Sequence, residues 1–380
     1  MTVEVLSSIH EIAAEDWNAL LADAKHYPFL QHAFLAALED SGAASAETGW
    51  VPSHLLWRED GQITAAMVLY QKHHSRGEYV FDYQWADAWE QAGGHYYPKL
   101  LCAVPFSPVT GPRLLGSAEG GIALLEVLKS TVLKQGISGA HVLFPKESAA
   151  TLFESSGWLK RLGCQYHWYN RGYQHFDDFL TALNSRKRKN FRKERQQVQQ
   201  QGIRFECLTS AQMTPELWQR FYQFYAATYL KRGQRPYLSL DFFLRLAESL
   251  PAAIRMVFAL HEEKYVAAAF FLVGGDTLYG RYWGCLEEYD KLHFETCFYQ
   301  GIELCIREGI ACFDAGAQGE HKLIRGFEPQ ITYSWHFLQQ GLHDAVADFL
   351  ERESPAILAY AEEGKSYLPY RQDDAGSEAS

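Results

Sequence analysis

Side chains that move protons and stabilise negative charge are concentrated in one short segment late in the chain. The segment AQGEHKLIRGFEP, residues 317–329, has two glycines, and the candidate residues in it are Gln318, Glu320, His321, Lys322 and Arg325. Carboxylates and imidazoles transfer protons, and an ammonium group stabilises an anion. Ordering so many polar groups in a loop costs conformational entropy that ligand binding can offset. We therefore predict a catalytic and substrate-binding loop; an exposed connecting loop is the alternative.

A basic block stands out because the chain as a whole is acidic. Residues 186–195 contain seven Lys or Arg and one Glu, a charge of +6 in a chain whose net charge is −11. On a helix these residues fall on two sides, Arg188, Arg192 and Arg195 on one and Arg186, Lys189 and Lys193 on the other. We predict that Arg188 and Arg192 bind a polyanion: an RNA, the phosphates of a nucleotide-linked precursor, or an anionic membrane surface. A solvated helix face that forms internal salt bridges is the alternative.

Three further residues are candidates for the same chemistry. Arg281 lies in LYGRYWG, which reads as a strand, and a buried arginine needs an anionic partner. It is either a ligand clamp or one half of an internal ion pair. His293 and Glu295 lie at the start of the predicted helix HFETCFYQ, where they could be catalytic groups. Alternatively, they are ordinary residues of the first turn, and Glu295 complements the helix dipole.

Several chemistries have no support in the sequence. The chain has no GxSxG, HExxH, P-loop or GxGxxG motif and no metal-ligand spacing, so we predict no metal. Its seven cysteines form no CxxC pair, which is typical of reduced thiols in a cytoplasmic protein. The apolar runs are too short to span a bilayer, and the N-terminus lacks the basic and apolar regions of a signal peptide. We expect a cytoplasmic protein.

Helix and strand patterns alternate along the chain, which predicts a mixed α/β fold. Residues 1–50 read as helical, and three strands follow in HLLWRED, GQITAAMVLYQK and GEYVFDYQW. A proline-rich loop, AVPFSPVTGPRLLG, leads to the helix GIALLEVLKSTVLKQG and the buried strand GAHVLFP. The second half repeats this order. HLLWREDGQITAAMVLY and VFALHEEKYVAAAFFLV share one design, which indicates an internal duplication; chance similarity of two hairpins is the alternative.

Five blocks of the second half carry a family resemblance: SRKRKNFRKERQQV, KRGQRPYLSLDFF, LYGRYWG, HFETCFYQGIE and FDAGAQGEHKLIRGFEP. They resemble the FemAB-like branch of the GNAT acyltransferase superfamily, whose members carry two tandem GNAT-type domains. Members often have a basic helix at the start of the second domain. They also have, late in that domain, a glycine-containing loop with a lysine shortly before a Gly-Phe or Phe-Gly pair. The likeness is closest to an uncharacterised bacterial subgroup of peptidoglycan biosynthesis or recognition proteins.

The resemblance implies a fold and a domain division. We expect two GNAT-like domains, each with a mixed, mostly antiparallel central sheet flanked by helices. The N-terminal domain would cover residues 1–170 and the C-terminal domain residues 171–370, with residues 371–380 as a disordered tail.

The resemblance also implies acyl or aminoacyl transfer to an amine, in a cleft between the domains. The amine attacks a thioester or ester carbonyl, a base takes its proton, and a donor holds the oxyanion. We predict Glu320 or His321 as base or proton relay, and Lys322 as the charge that stabilises the oxyanion or a substrate phosphate. Lys99 and Arg113 flank the proline-rich loop in the domain expected to contact the acceptor, where they would hold a phosphate or carboxylate. A purely structural loop is the alternative.

One junction departs from the pattern of acetyl-CoA-dependent GNAT enzymes. Those enzymes usually carry Q/R-x-x-G-x-G/A before the third helix, where backbone N–H groups bind the pyrophosphate. Here the junction reads GCLEEYDKLHFET, with no glycine pair and three acids before Lys291. We expect no bound cofactor. The acyl donor would be acetyl-CoA, another acyl-CoA or aminoacyl-tRNA, and the missing glycine pair favours aminoacyl-tRNA. The acceptor would be a small molecule or a nucleotide-linked compound. The rival hypothesis is a non-catalytic module that binds a cell-wall precursor or an RNA.

Overall fold

The computed structural model describes residues 1–317 and 319–371, apart from the side chain of Asp23. Gln318 and residues 372–380 of the predicted tail, 371–380, lie outside the described residues. In the part of the chain that is described, no helix is long and apolar enough to cross a bilayer.

Strands and helices alternate, as the mixed α/β prediction requires. The strands are β1 (Thr2–Leu6), β2 (Trp50–Pro52), β3 (His54–Glu59), β4 (Gln62–Met67), β5 (Tyr70–Lys72), β6 (Lys99–Cys102), β7 (Leu115–Gly116), β8 (Gly139–Leu143), β9 (Leu159–Tyr169), β10 (Ile203–Thr209), β11 (Ile254–His261), β12 (Lys264–Gly274), β13 (Thr277–Cys285), β14 (Cys312–Asp314) and β15 (Glu328–Leu338). The α-helices are α1 (Ala14–Ala19), α2 (His32–Asp40), α3 (Tyr83–Gln91), α4 (Ala118–Gln135), α5 (Ala150–Ser155), α6 (Phe176–Ala182), α7 (Ser185–Gln200), α8 (Pro215–Leu230), α9 (Leu240–Ser249), α10 (Leu292–Phe294), α11 (Gln300–Glu308) and α12 (Gln340–Lys365). A π-helical turn, Glu295–Tyr299, joins α10 to α11.

Two compact units share the chain, and their segments interleave in sequence. Unit 1 comprises residues 1–164, 237–250 and 331–359. Unit 2 comprises residues 165–236, 251–330 and the described residues from 360. The predicted division into two consecutive domains, residues 1–170 and 171–370, stays a prediction.

Unit 1 contains a four-stranded sheet in the order β1-β3-β4-β7 and a second set of paired strands in the order β15-β8-β6-β5-β2. Within the second set, β6 and β8 are parallel. One face of α4 is apolar because leucines and a valine recur every four residues, at Leu124, Leu128 and Val132. This face packs on Met67 and Val142 in the main core of the unit.

Unit 2 is built on strands in the order β10-β11-β12-β13-β14-β9. The first four strands are antiparallel, and β13 then pairs with β14 in parallel. The two strands of each of the parallel pairs β6–β8 and β13–β14 are connected through a helix, α4 in the first pair and α11 in the second.

The two hairpins that suggested a duplication share details of backbone geometry. β3–β4 turns at residues 60–61 and β11–β12 at residues 262–263, and all four turn residues have positive φ. The pairing register shifts three positions before each turn, after Trp57 and after Ala259. Matching irregularities at matching positions support the predicted duplication.

Two local predictions were wrong. GEYVFDYQW was predicted as a strand, but residues 73–82 form an irregular segment and α3 begins at Tyr83. Side-chain ion pairs of Glu78 and Asp82 with Lys99 hold this segment in place of ladder hydrogen bonds. The start of the chain was predicted as helical, but TVEVL forms β1, because its period-two alternation pairs with β3.

Candidate functional site

The carboxyl end of β14, beside the first half of β13, defines the best candidate site, in unit 2. The two strands pair in parallel from Thr277 to Tyr279 and from Cys312 to Asp314. Loops that follow the carboxyl ends of parallel strands are where α/β sheets present ligand-binding groups. The segment predicted to bind substrate starts at Ala317, three residues after Asp314.

Arg281 and Asp314 form a buried ion pair at this edge. The guanidinium Nη2 lies 2.7 Å from Oδ2 of Asp314, and each side chain is 2% exposed. Burial opposes ionisation of Asp314, but the Arg281 guanidinium overcomes it and holds the pKa of the carboxyl below its ordinary value. Asp314 Oδ1 also accepts a hydrogen bond from the Gly316 N–H, at 2.8 Å. Of the two predicted roles for Arg281, the structure has the internal ion pair, and ligand binding by Arg281 stays a prediction.

The predicted loop contains a 3₁₀ turn, Glu320–Arg325, between two glycines. Gly319 and Gly326 have φ of +118° and +88°, conformations that a residue with a side chain rarely adopts. A Cβ on Gly319 would lie 2.4 Å from the His321 ring. Phe327 is fully buried and its ring centroid lies 5.2 Å from that of Phe313, so it anchors the turn as predicted.

Lys322 is buried at the centre of the turn. Its Nζ donates hydrogen bonds of 2.8 Å to the carbonyl oxygens of Ala315 and Gly316. In the described part of the chain, no carboxylate lies within ion-pair distance of this Nζ. Burial lowers the pKa of Lys322 to about 8; Asp314 opposes the shift and Arg281 adds to it.

His321 sits on an aromatic and imidazole cluster at the surface. Its ring centroid lies 5.4 Å from Phe294 and 6.1 Å from His293. Burial, Lys322 and Arg325 lower the pKa of His321. Burial also lowers the pKa of His293, to about 4, with His321 and Arg325 contributing. Both imidazoles are therefore neutral at pH 7, which is the form that can accept a proton.

Glu320 and Arg325 have different environments. Glu320 is exposed and accepts a hydrogen bond of 3.0 Å from the Tyr360 hydroxyl. Arg325 is buried, lies 3.5 Å above the Phe294 ring, and pairs with Glu194 of α7 at 2.8 Å. It also donates to the backbone carbonyl of His321, so its guanidinium ties the turn to α7.

The basic block forms α7, as predicted, but its charges are divided between two environments. Arg195 is bound to Glu295 and Glu303 at 2.9 and 2.7 Å, which matches the alternative of internal salt bridges. Arg192 is exposed and makes only a surface contact with Asp177, at 3.3 Å. Arg188 is half-buried, and its guanidinium donates to the backbone carbonyl of Leu183 at 3.5 Å.

The remaining cations of α7 are unpaired. Across residues 1–317 and 319–371, no ion pair is formed by Arg186, Lys187, Lys189 or Lys193. The helix therefore presents a cationic surface in addition to the internal pairs of Arg195. Glu295 is buried, and although burial raises its pKa, its carboxylate serves as the partner of Arg195.

Lys99 and Arg113 lie inside unit 1, where each side chain donates several hydrogen bonds. Lys99 Nζ donates to Glu78 at 2.7 Å, to Ser75 at 2.8 Å and to Asp82. Arg113 donates to the backbone carbonyls of Val109, Pro112 and Leu143, so it fixes the path of the proline-rich loop. Both side chains are buried, as the structural alternative implied, and their contact with an acceptor stays a prediction.

Some residues of the site were not predicted from the sequence. Glu194 is the single acid of the basic block, and that isolation was a signal that it has a specific partner, Arg325. Phe294 and Tyr360 carried no such signal, because their roles depend on contacts with distant segments. Among the described residues, no group of three His, Cys, Asp or Glu side chains could hold a metal ion.

Comparison with protein families identifies the chain as a member of the FemAB-like family. The family's model, described as peptidoglycan biosynthesis/recognition, matches residues 8–372. The predicted family is thereby confirmed, and membership agrees with the predicted transferase class. Comparison with curated proteins gives no match.

Solved structures share the fold at low sequence identity. FemX has a TM-score of 0.53 and 11% identity, with 91% of this chain and 100% of FemX covered. The C-terminal domain of a putative lysylphosphatidylglycerol synthetase from Agrobacterium fabrum has a TM-score of 0.52 and 12% identity, covering 89% of this chain and 96% of that domain. L-PGS from Bacillus licheniformis has a TM-score of 0.51 and 10% identity, with coverage of 89% and 96%. These likenesses confirm the predicted mixed α/β fold class.

Proposed function

We propose that this member of the FemAB-like family transfers an aminoacyl group from aminoacyl-tRNA to an amine, at the carboxyl end of β14. The observation that carries the proposal is Lys322. It is a buried cation beside the end of a parallel strand pair, held by backbone carbonyls, with no carboxylate of the described chain within ion-pair distance. A buried charge without a counter-ion is costly unless a ligand supplies one.

The proposed reaction uses the groups of the turn in distinct roles. The acceptor amine attacks the ester carbonyl, and the carbonyl oxygen becomes negatively charged. Lys322 has three N–H donors and uses two on Ala315 and Gly316, so the third is directed to the oxyanion or to a substrate phosphate. Neutral His321 takes the proton that the amine releases, and Glu320 assists as a proton relay. When the tetrahedral intermediate collapses, the ester C–O bond breaks and His321 returns this proton to the departing tRNA hydroxyl oxygen.

Two features favour aminoacyl-tRNA over an acyl-CoA as donor. The junction between β13 and α10 carries Glu287, Glu288 and Asp290, whose charges repel a pyrophosphate. By contrast, α7 has unpaired cations suited to a nucleic-acid backbone. A donor of this kind and a nucleotide-linked or other small-molecule acceptor are both met in the cytoplasm, which is the proposed location.

The donor is tested by direct assay of the full chain. Mixed aminoacyl-tRNA with a radiolabelled amino acid, or radiolabelled acetyl-CoA, is incubated with a panel of small amines and cell-wall precursors. We expect the protein to transfer label from tRNA to an amine much faster than the reaction proceeds in buffer without protein. Transfer from acetyl-CoA alone would overturn the tRNA donor. Binding of either donor without any transfer would identify the non-catalytic module instead.

The role of α7 is tested by the salt dependence of tRNA binding. Each phosphate contact that is lost reduces the slope of log K against log salt by about 1. We expect the double variant Arg188→Ala/Arg192→Ala to flatten the slope by about 1 to 2 units. The matched control is Arg220→Ala/Lys264→Ala, which removes two exposed cations from other elements of unit 2. Equal slopes for the two double variants would show that α7 does not contact the donor.

A further inference from the structure

A concave pocket of about 440 Å³ lies in unit 2 beside the turn that carries Lys322. One wall is the outer surface of the turn Glu320–Arg325, and the other is the end of α12 together with Tyr367. The two walls approach closely at Gly364. A Cβ there would lie 3.0 Å from Pro329 Cγ and 3.5 Å from Leu323 Cδ2, so a larger residue would push the walls apart.

The polar groups of the pocket are carboxylates. Glu320 accepts a hydrogen bond from Tyr360 at 3.0 Å, and Glu363 accepts one from Tyr367 at 3.3 Å. An ionised carboxylate has about four acceptor positions, so each Glu retains capacity for a further donor. The described residues that line the pocket include no Lys or Arg, and the lowered pKa of His321 keeps that imidazole neutral at pH 7. The pocket therefore carries a net negative charge.

The remaining surface of the pocket is apolar. Leu323 is buried at its base, while Ile324 and the rings of Tyr360 and Tyr367 are partly exposed, by 38%, 39% and 53%. Aromatic faces attract cations in addition to offering apolar contact. Small-ligand sites are typically apolar pockets that contain a few polar groups. The combination fits a ligand with an aliphatic stem and a positively charged end.

We infer that this pocket binds a primary ammonium group on an aliphatic stem, such as a lysine side chain. The ammonium group donates to Glu320 and Glu363, stays protonated, and is not the amine that reacts. The inference rests on the proposed function, because Glu320 and His321 line both the pocket and the proposed site. The ammonium group belongs either to an acceptor with a second amine or to a cationic amino acid that is being transferred.

Binding tests the pocket without any assay of transfer. The full chain is titrated calorimetrically with Nα-acetyl-L-lysine amide and with Nα-acetyl-L-norleucine amide, which differ in the terminal amine. We expect the lysine compound to bind at least about fivefold tighter, and Glu363→Gln to abolish most of that preference, as the loss of one exposed ion pair implies. Glu362→Gln is the matched control, since Glu362 pairs with Lys365 at 2.6 Å and does not line the pocket.

Two results would overturn the inference: equal affinity for the two compounds, or equal effects of Glu363→Gln and Glu362→Gln. Either leaves the proposed function standing if transfer between uncharged substrates still depends on Lys322. Conversely, lysine-selective binding without any transfer would overturn the proposed function and retain the pocket.

The source of the ammonium group is distinguished by kinetics. If it belongs to the acceptor, Glu363→Gln raises the KM for 1,5-diaminopentane by about fivefold and leaves that for 1-aminopentane unchanged. If it belongs to the transferred amino acid, Glu363→Gln lowers the preference for lysyl-tRNA over norleucyl-tRNA by a similar factor. A variant that transfers normally and changes neither selectivity would contradict the inference.

Discussion

Two buried lysines, Lys99 in unit 1 and Lys322 in unit 2, are in opposite electrostatic situations. Lys99 touches two carboxylates, Glu78 and Asp82, which raise its pKa despite its burial. Lys322 touches only backbone carbonyls, and burial lowers its pKa to about 8. A buried cation that the protein neutralises itself contributes to the fold. A buried cation left with net charge is poised to stabilise negative charge on a ligand.

Removal of Lys99 is expected to give the largest effect, on stability. Lys99→Met leaves Glu78 and Asp82 buried without their shared partner, which typically costs about 3–5 kcal/mol. The free energy of unfolding is measured by urea denaturation. Lys129→Met is the control, because Lys129 pairs at the surface with Glu126 and its loss should cost less than about 1 kcal/mol. If Lys99→Met is too unstable to purify, Glu78→Gln provides the milder version. If both variants are as stable as the wild type, Lys99 does not stabilise the fold.

Removal of Lys322 is expected to act on turnover more than on stability. Loss of one oxyanion-stabilising donor lowers kcat by about 10²–10³-fold, so Lys322→Met should do so in the transfer assay. Its unfolding free energy should fall less than that of Lys99→Met, because no buried carboxylate loses its counter-ion. Lys264→Met, an exposed lysine in the β11–β12 hairpin, serves as the control. A Lys322 variant that is unstable but turns over normally would reverse the two assignments.

The pH dependence gives the smallest and most specific effect. If transfer needs protonated Lys322, kcat/KM falls as the pH rises above about 8. Stability moves the other way. Because Lys322 binds its proton more weakly in the folded than in the unfolded state, the free energy of unfolding rises between about pH 8 and about 10.5. Lys322→Arg keeps the charge, so it should shift the decline in rate to higher pH. An identical decline in that variant would assign it to another group.

The turn around Lys322 was predictable because its signals are local. Gly319, Gly326 and Phe327 each act on neighbouring residues, and the charges of α7 repeat with the helical period. The network of Lys99 was not predictable. Its partners lie in residues 73–82, far from Lys99 in sequence, and their polar side chains looked like those of an exposed strand. Burial of a charge depends on which distant element covers it, and local sequence does not encode that.

The interleaving of the two units has a consequence for synthesis of the chain on the ribosome. Residues 331–359 complete unit 1 but are translated after nearly all of unit 2. Domains usually fold as units and in order of emergence. Here the N-terminal 164 residues leave the exit tunnel without α9 and without the half of β15 that pairs with β8. The first unit to begin synthesis is therefore completed only after most of the second has been made, and a nascent chain stopped at residue 330 would expose the β8 edge to chaperones or to other chains.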